Sequence, residues 1–192
     1  MMRDGQARIW QMSLGGALAG AALLALASCG GGQRERVPPP PRVNKAAPLS
    51  AENAAALNSP ERFVNLASSD ALFSIQASEM AVSRVSDYRL RAAADGIAHD
   101  QLGISAQVSF AGRRLNLLPS AALAPRHRAM LDELRGAASF DATYKRHMTE
   151  VLGDALALHR AYAVRGSSPT LRPVAAMAAP ILGREVASLR RL

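Results

Sequence analysis

Apolar residues recur every three to four positions in two long segments of the chain, which is the period of a helix with one buried face. In the segment after Asp87 this face contains Leu90, Ala94, Ile97, Gln101, Ile104 and Val108. In the segment after Ser139 it contains Tyr144, Met148, Val151, Ala155, Leu158 and Tyr162. A third segment, which begins at Pro60, carries apolar residues on two faces, so its orientation is not defined by the pattern.

Capping and terminating residues give the approximate bounds of these helices. Serine or aspartate before a helix, proline in its first turn and glycine after its end are the usual signals. They predict long helices over 60–85, 88–110 and 140–165, a short one near 126–135, and a last one that opens at Ser168-Pro169 and has a kink at Pro180. Residues 50–57 have the composition for one or two further helical turns.

The fold class that follows is all-α. No segment has a strand pattern, and the prevalence of Ala, Leu and Arg over β-branched and aromatic residues favours helix. Four long helices predict a four-helix bundle, with a short extra helix in the connector between the second and third of them. A two-layer helical hairpin that dimerises is the alternative, although we expect a monomer.

The N-terminus predicts export and a lipid anchor. Arg3 and Arg8 precede a short apolar run that ends in Leu26-Ala27-Ser28-Cys29, which is similar to a bacterial lipobox. Cleavage before Cys29 would leave a cysteine that carries diacylglycerol and an acyl chain such as palmitate. A buried free cysteine or an uncleaved transmembrane helix is the alternative, but the apolar run is shorter than the roughly 20 residues that a span needs.

The predicted organisation is therefore a signal peptide (1–28), a lipidated Cys29 with a Gly- and Pro-rich tether (29–58) and a helical domain (59–192). Several acyl chains on one residue anchor a protein stably. Gly30 follows the cysteine, where an aspartate would resemble an inner-membrane retention signal. We expect the protein in the outer membrane, facing the periplasm.

The net charge of +8 suggests an anionic partner. Nucleic acid is not expected, because the protein is exported, its arginines are scattered and only 4% of its residues are aromatic. Anionic lipid headgroups, another anionic surface component or an envelope protein fit better, and a generally basic solvated surface is the simplest explanation. Leu115, Leu117 and Leu118 form either core under the connector or a docking patch.

Several segments resemble one bacterial family, the domain of unknown function numbered 4142, whose members are exported ferritin-like proteins often labelled predicted outer-membrane proteins. The segments are SIQASEMA before LRAAADGIAHD, FDATY at the start of the third long helix, and SPTLRPVAAMAAPIL in the fourth. The resemblance covers about residues 60–190 and implies a ferritin-like four-helix bundle without an established biochemical role.

The resemblance also implies positions for metal ligands, because ferritin-like bundles hold metals with inward His and Glu residues. Three histidines common in the family fall here at Gln101, Leu152 and Glu185. The family aspartate matches Asp100, and a glutamate of the first long helix falls at Ser74. This chain keeps the predicted scaffold and lacks most of the implied ligands, so no metal or other cofactor is expected.

The angular position of a residue on its helix predicts whether its side chain faces the core or the solvent. His147 lies at the edge of the apolar face and is expected to be neutral or solvated, and Glu150, Asp154 and His159 do not converge with it. Asp100, His147 and Glu185 are retained as a weak alternative metal site. Phe140 and Tyr144 are expected in the core, and Asp141 to interact with the helix N-terminus. His99 is expected in solvent.

Two functions of different classes remain. The first, which we favour, is a non-enzymatic envelope protein that binds a partner or surface component. The second is a ferritin-like metal-binding protein or metal-dependent oxidoreductase with a degenerate site, and it is implied by the family resemblance alone. The sequence contains no Gly-rich phosphate loop, no Cys-His pair and no Gly-x-Ser-x-Gly turn, and no catalytic residue is assigned.

Overall fold

The computed structural model describes residues 48–192, and all regular elements within this range are helices. They are α1 (Ala51–Ala56), α2 (Pro60–Arg84), α3 (Tyr88–Arg113), α4 (Pro125–Gly136), α5 (Phe140–Arg165) and α6 (Arg172–Arg191). None of these helices combines the length and the apolar character that crossing a membrane requires. The predicted signal peptide, Cys29 and most of the predicted tether lie outside the described residues.

The four long helices α2, α3, α5 and α6 form a bundle, and the predicted all-α fold class is confirmed. α2 packs along α3 and α5 packs along α6, while α2 also contacts α5 and α3 contacts α6. Short connections join the members of each pair, as in antiparallel helical hairpins. Large buried side chains fill the interior, among them Phe63, Phe73, Tyr144, Leu158 and Tyr162.

The helix ends agree with the sequence signals with two exceptions. The hydroxyl of Ser59 accepts the N–H of Arg62, and the carboxylate of Asp87 accepts the N–H of Arg89. Ser139 precedes α5 but makes no capping hydrogen bond with its side chain. Residues 168–171 form a turn, so the last helix begins at Arg172 rather than at Pro169, and it continues through Pro180.

Helix α1 belongs to the bundle, which corrects the predicted tether boundary at residue 59. Ala56 is fully buried, and the side-chain amide of Asn53 donates to the carbonyl oxygen of Asp154 at 3.0 Å. The N–H of Ser167 donates to the carbonyl oxygen of Leu57 at 2.9 Å. The folded part therefore begins before α1, because these contacts attach α1 to α5 and to the turn that follows it.

The connector between α3 and α4 lies against the start of α2. Leu115 and Leu117 pack against the core, whereas Leu118 is exposed, so the three leucines do not form one patch. Asn116 has a φ of 56°, in the left-handed region that asparagine tolerates better than most residues. The resulting turn brings residues 120–124 over α2, where they form one wall of a cleft.

Candidate functional site

Two of the positions that the family resemblance implies for ligands face each other inside the bundle. Gln101 of α3 donates from Nε2 to Oε2 of Glu185 of α6 at 2.8 Å, and both side chains are buried. The second carboxyl oxygen, Oε1, has no hydrogen-bond partner among the described residues. Burial raises the pKa of Glu185 to about 8, although the bond from Gln101 lowers it and Asp100 raises it further.

We predict that Glu185→Gln stabilises the protein at alkaline pH. The ordinary pKa of 4.5 is raised in the folded protein, so the stabilisation linked to protonated Glu185 is complete below pH 4.5 and is lost as the pH rises towards 8. The neutral amide keeps the bond from Gln101 without the charge. Urea unfolding should show a gain on the order of 2 kcal/mol at pH 8 and almost none at pH 4.5. An equal gain at both pH values would contradict the titration of Glu185.

The weak metal set of Asp100, His147 and Glu185 is not assembled into a site. Asp100 is exposed on α3, Glu185 is engaged by Gln101, and Nε2 of His147 lies 3.1 Å from Oε2 of Glu133. Leu152, at another family ligand position, is fully buried and offers no ligand atom. Within residues 48–192, no three His, Cys, Asp or Glu side chains are arranged to hold a metal. These residues do not fit a metal centre.

Two histidines of α5 are buried. His147 was expected at the edge of the apolar face, neutral or solvated, and the structure corrects only its exposure, because it is buried. His147 and His159 expose 2% and 1% of their surface. Burial lowers the pKa of both, to about 4 for His159, so both are neutral at neutral pH. The ring of His159 meets Phe63 edge-on at 5.3 Å between centroids. His99, in contrast, is exposed as expected.

The three residues assigned to packing and capping lie at the start of α5. Tyr144 is fully buried and its hydroxyl lies 2.9 Å from the hydroxyl of Ser78 on α2. Phe140 is largely buried, with the guanidinium of Arg84 4.3 Å from its ring centroid. Asp141, in the first turn, accepts a hydrogen bond from the hydroxyl of Ser86 at 3.0 Å. These contacts attach the start of α5 to the end of α2.

A buried polar cluster that the sequence did not predict joins α2 to α4. Oγ of Ser69 lies 2.7 Å from Nδ1 of His127, and Oδ1 of Asp70 lies 3.3 Å from Nε2 of the same ring. All three residues expose less than a twentieth of their surface. Ser69, His127 and Asp70 could form a nucleophilic triad, or they could be a structural cluster that fastens α4 to α2. We call this cluster of three residues the clamp.

The proton positions favour a clamp. The guanidinium of Arg126, which can only donate, lies 3.2 Å from Nε2 of His127, so we assign Nε2 as the acceptor and place the ring proton on Nδ1. Nδ1–H then donates to Ser69, whose oxygen also accepts the N–H of Ala124 at 2.8 Å. A nucleophilic serine needs the opposite arrangement, in which its hydroxyl donates to the histidine.

The electrostatics of the clamp agree with this assignment. Burial lowers the pKa of His127 to about 4 and raises the pKa of Asp70 well above its usual range. Both changes favour neutral forms in the interior. Arg126 also forms a half-exposed ion pair with Asp154 of α5 at 2.9 Å. The clamp therefore holds the start of α4 between α2 and α5 without a buried charge.

An open cleft with a volume of about 510 Å³ lies beside this clamp. Its walls come from α1, the first turns of α2 and residues 120–125. The apolar lining consists of Ala55, Ala56, Leu66, Ala122, Leu123, Ala124 and Pro125. The polar lining consists of Glu52, Arg62, Asn65, Ser69 and Ser120. The volume and the mixture of an apolar lining with a few polar groups are typical of small-molecule sites.

A comparison with solved structures finds a similar helical fold. The crystal structure of a DUF305 fragment from Deinococcus radiodurans is similar, with a TM-score of 0.58 and 14% identity over 75% of this chain and 96% of that one. At this identity the similarity shows the fold alone. No curated protein matches the sequence significantly.

The chain belongs to the family described as Domain of unknown function (DUF4142), whose model matches residues 45–192. This confirms the family that the sequence resembles. The matched range begins before α1, in agreement with the packing of α1 on the bundle.

Proposed function

We propose that this protein is an exported, lipid-anchored binding protein of the cell envelope and that it is not an enzyme. The observation that carries the proposal is the cleft beside the clamp, since an apolar lining with a few polar groups suits a bound molecule. The nearby Ser69–His127–Asp70 cluster supports binding rather than catalysis, because its hydrogen bonds leave the serine unactivated.

The predicted lipid anchor would determine the cellular location of the cleft. A lipidated Cys29 would hold the bundle at a membrane surface, with an outer-membrane position facing the periplasm. The partner would then be an envelope component, and the positive net charge of the chain favours one that carries negative charge. Metal storage or metal-dependent oxidation is not proposed, because Asp100, His147 and Glu185 do not meet.

We expect the protein purified from membranes to retain a small molecule that native mass spectrometry detects. Ala55→Phe should abolish this retention, because Ala55 lines the cleft and the added ring fills it. Ala54→Phe is the matched control, since Ala54 is exposed on the same helix and does not line the cleft. Equal retention by both variants would mean that the cleft is not the binding site.

The anchor is tested separately by cell fractionation. Cys29→Ser should move the protein from the membrane fraction to the soluble periplasmic fraction and prevent labelling with radioactive palmitate. A variant that remains on the membrane with unchanged processing would exclude the proposed anchor, whatever the cleft binds.

A further inference from the structure

Among the polar groups of the cleft, the hydroxyl of Ser69 says most about the chemistry of a ligand. It is nearly completely buried, and with the ring proton of His127 assigned to Nδ1 it accepts two hydrogen bonds, from Nδ1–H and from the N–H of Ala124. In this tautomer, no residue among 48–192 accepts the hydrogen of Ser69. Ser74, one helical turn further along α2, shows the usual alternative, because its hydroxyl donates to the carbonyl oxygen of Asp70 at 2.8 Å.

This leaves Ser69 as a donor beside an open space. A buried hydroxyl without an acceptor is costly, and the clamp prevents Ser69 from using His127 as that acceptor. Since Ser69 lines the cleft, an acceptor for this hydrogen would have to come from the cleft. A molecule that presents an oxygen atom at the inner end of the cleft would complete the network.

The other polar groups of the cleft are also mostly donors. Asn65 accepts the N–H of Ser120 through Oδ1 at 3.3 Å, which leaves its side-chain NH2 group free to donate. Arg62 lines the cleft with an exposed guanidinium that forms no ion pair within the described part of the chain. Glu52 is the only acid in the lining, and it lies on an exposed part of α1.

We infer that the cleft binds an amphiphilic carboxylate, whose oxygens accept from Ser69, Asn65 and Arg62 and whose apolar chain contacts Leu66 and Leu123. This inference rests on the proposed binding function and names the class of its ligand. A carboxylate supplies several acceptor positions and a charge that matches Arg62. A volume of about 510 Å³ accommodates such a head with an apolar chain of roughly six to ten carbons.

Octanoate is a suitable probe, and octanamide and octylamine are its matched analogues. The mature chain with Cys29→Ser is titrated with each compound and followed by calorimetry and by NMR. Octanoate should bind at least tenfold more tightly than octanamide, which keeps an acceptor but lacks the charge, and octylamine should bind most weakly. Tighter binding of octylamine would overturn the inference and indicate a cationic ligand attracted by Glu52.

Substitutions of the donor residues test whether they bind octanoate. Ser69→Ala should weaken octanoate binding about tenfold, and Arg62→Gln should weaken it about threefold. Ser68→Ala is the matched control, because Ser68 is buried at the adjacent position of α2 and does not line the cleft. Glu52→Gln should strengthen binding by removing the acid. Unchanged affinity in Ser69→Ala would overturn the assignment of Ser69 as donor.

Because Ser69→Ala also alters the clamp, the circular dichroism and the Tm of each variant are measured, and Arg62→Gln and Glu52→Gln provide tests outside the clamp. If both leave octanoate binding unchanged, the carboxylate assignment is wrong. If octanoate does not bind but the membrane-purified protein retains another molecule that Ala55→Phe excludes, the ligand class fails while the proposed binding function stands.

Discussion

Gly166→Ala should destabilise the bundle by about 2–3 kcal/mol, because a methyl group at this position collides with a fully buried ring. A Cβ atom on Gly166 would lie 2.2–2.6 Å from three carbon atoms of Tyr162. That ring cannot move aside easily, since it stacks on Phe63 with 3.8 Å between centroids. Thermal unfolding followed by circular dichroism should show a Tm lower by roughly 6–10 °C.

The backbone conformation of Gly166 is not the reason for this effect. Its φ of −61° is accessible to alanine, so the loss isolates the steric contact with Tyr162. Gly153→Ala, within the helix that Gly166 follows, is the matched control, because nothing lies within 4 Å of its added Cβ. That variant should gain about 0.5–1 kcal/mol from helix propensity. A neutral or stabilising Gly166→Ala would show that Tyr162 is not held in this position.

The difference in the free energy of unfolding between His159→Leu and the unmodified protein should depend on pH, because His159 is buried. The pKa of His159 is lowered from 6.5 to about 4, so its contribution to stability is complete above pH 6.5 and is lost as the pH falls towards 4. The leucine variant has no proton to gain. The difference in the free energy of unfolding between the two proteins should change by about 3 kcal/mol between pH 7 and pH 4.

The comparison between variants is needed because other groups titrate in the same range. Protonation of Glu185 has the opposite sign over part of this window, and His127 has the same sign as His159. Each of these contributions is shared by the unmodified protein and His159→Leu, and cancels in the difference. A constant difference for His159→Leu would mean that water reaches the ring.

The fold was predictable because helix packing follows a local period. The apolar stripes of α3 and α5 correctly assigned Gln101 and Tyr144 to the interior, since every third or fourth residue of a bundle helix faces its neighbours. Capping signals gave most helix ends within a few residues. These features depend on residues that are close in sequence, so the sequence alone was enough to predict them.

The burial of His147 and His159 was not predicted because the angular argument considered one buried face on α5. In the structure α5 also contacts the short helices α1 and α4. His147 lies beside Glu133 of α4 and His159 against Phe63 of α2, and both are buried although neither lies at the centre of the stripe. Burial at the edge of a helix depends on short elements whose packing has no local sequence signal.

The clamp was missed for a similar reason. Ser69 and His127 are separated by 58 positions and meet only because α4 folds back onto α2. One signal was available: α2 carries apolar residues on two faces, which is typical of a helix buried on most sides. A polar pair such as Ser69-Asp70 in the middle of that helix therefore required a partner inside the protein.

The length of α1 has a consequence for access to the cleft. Six residues cannot sustain a helix alone in water, so α1 is helical only while it is attached through Asn53 and Leu57. Such a segment opens by local unfolding at a lower free energy than the bundle. Since α1 forms one wall of the cleft, its detachment would widen the opening of the cleft while the four long helices stay packed.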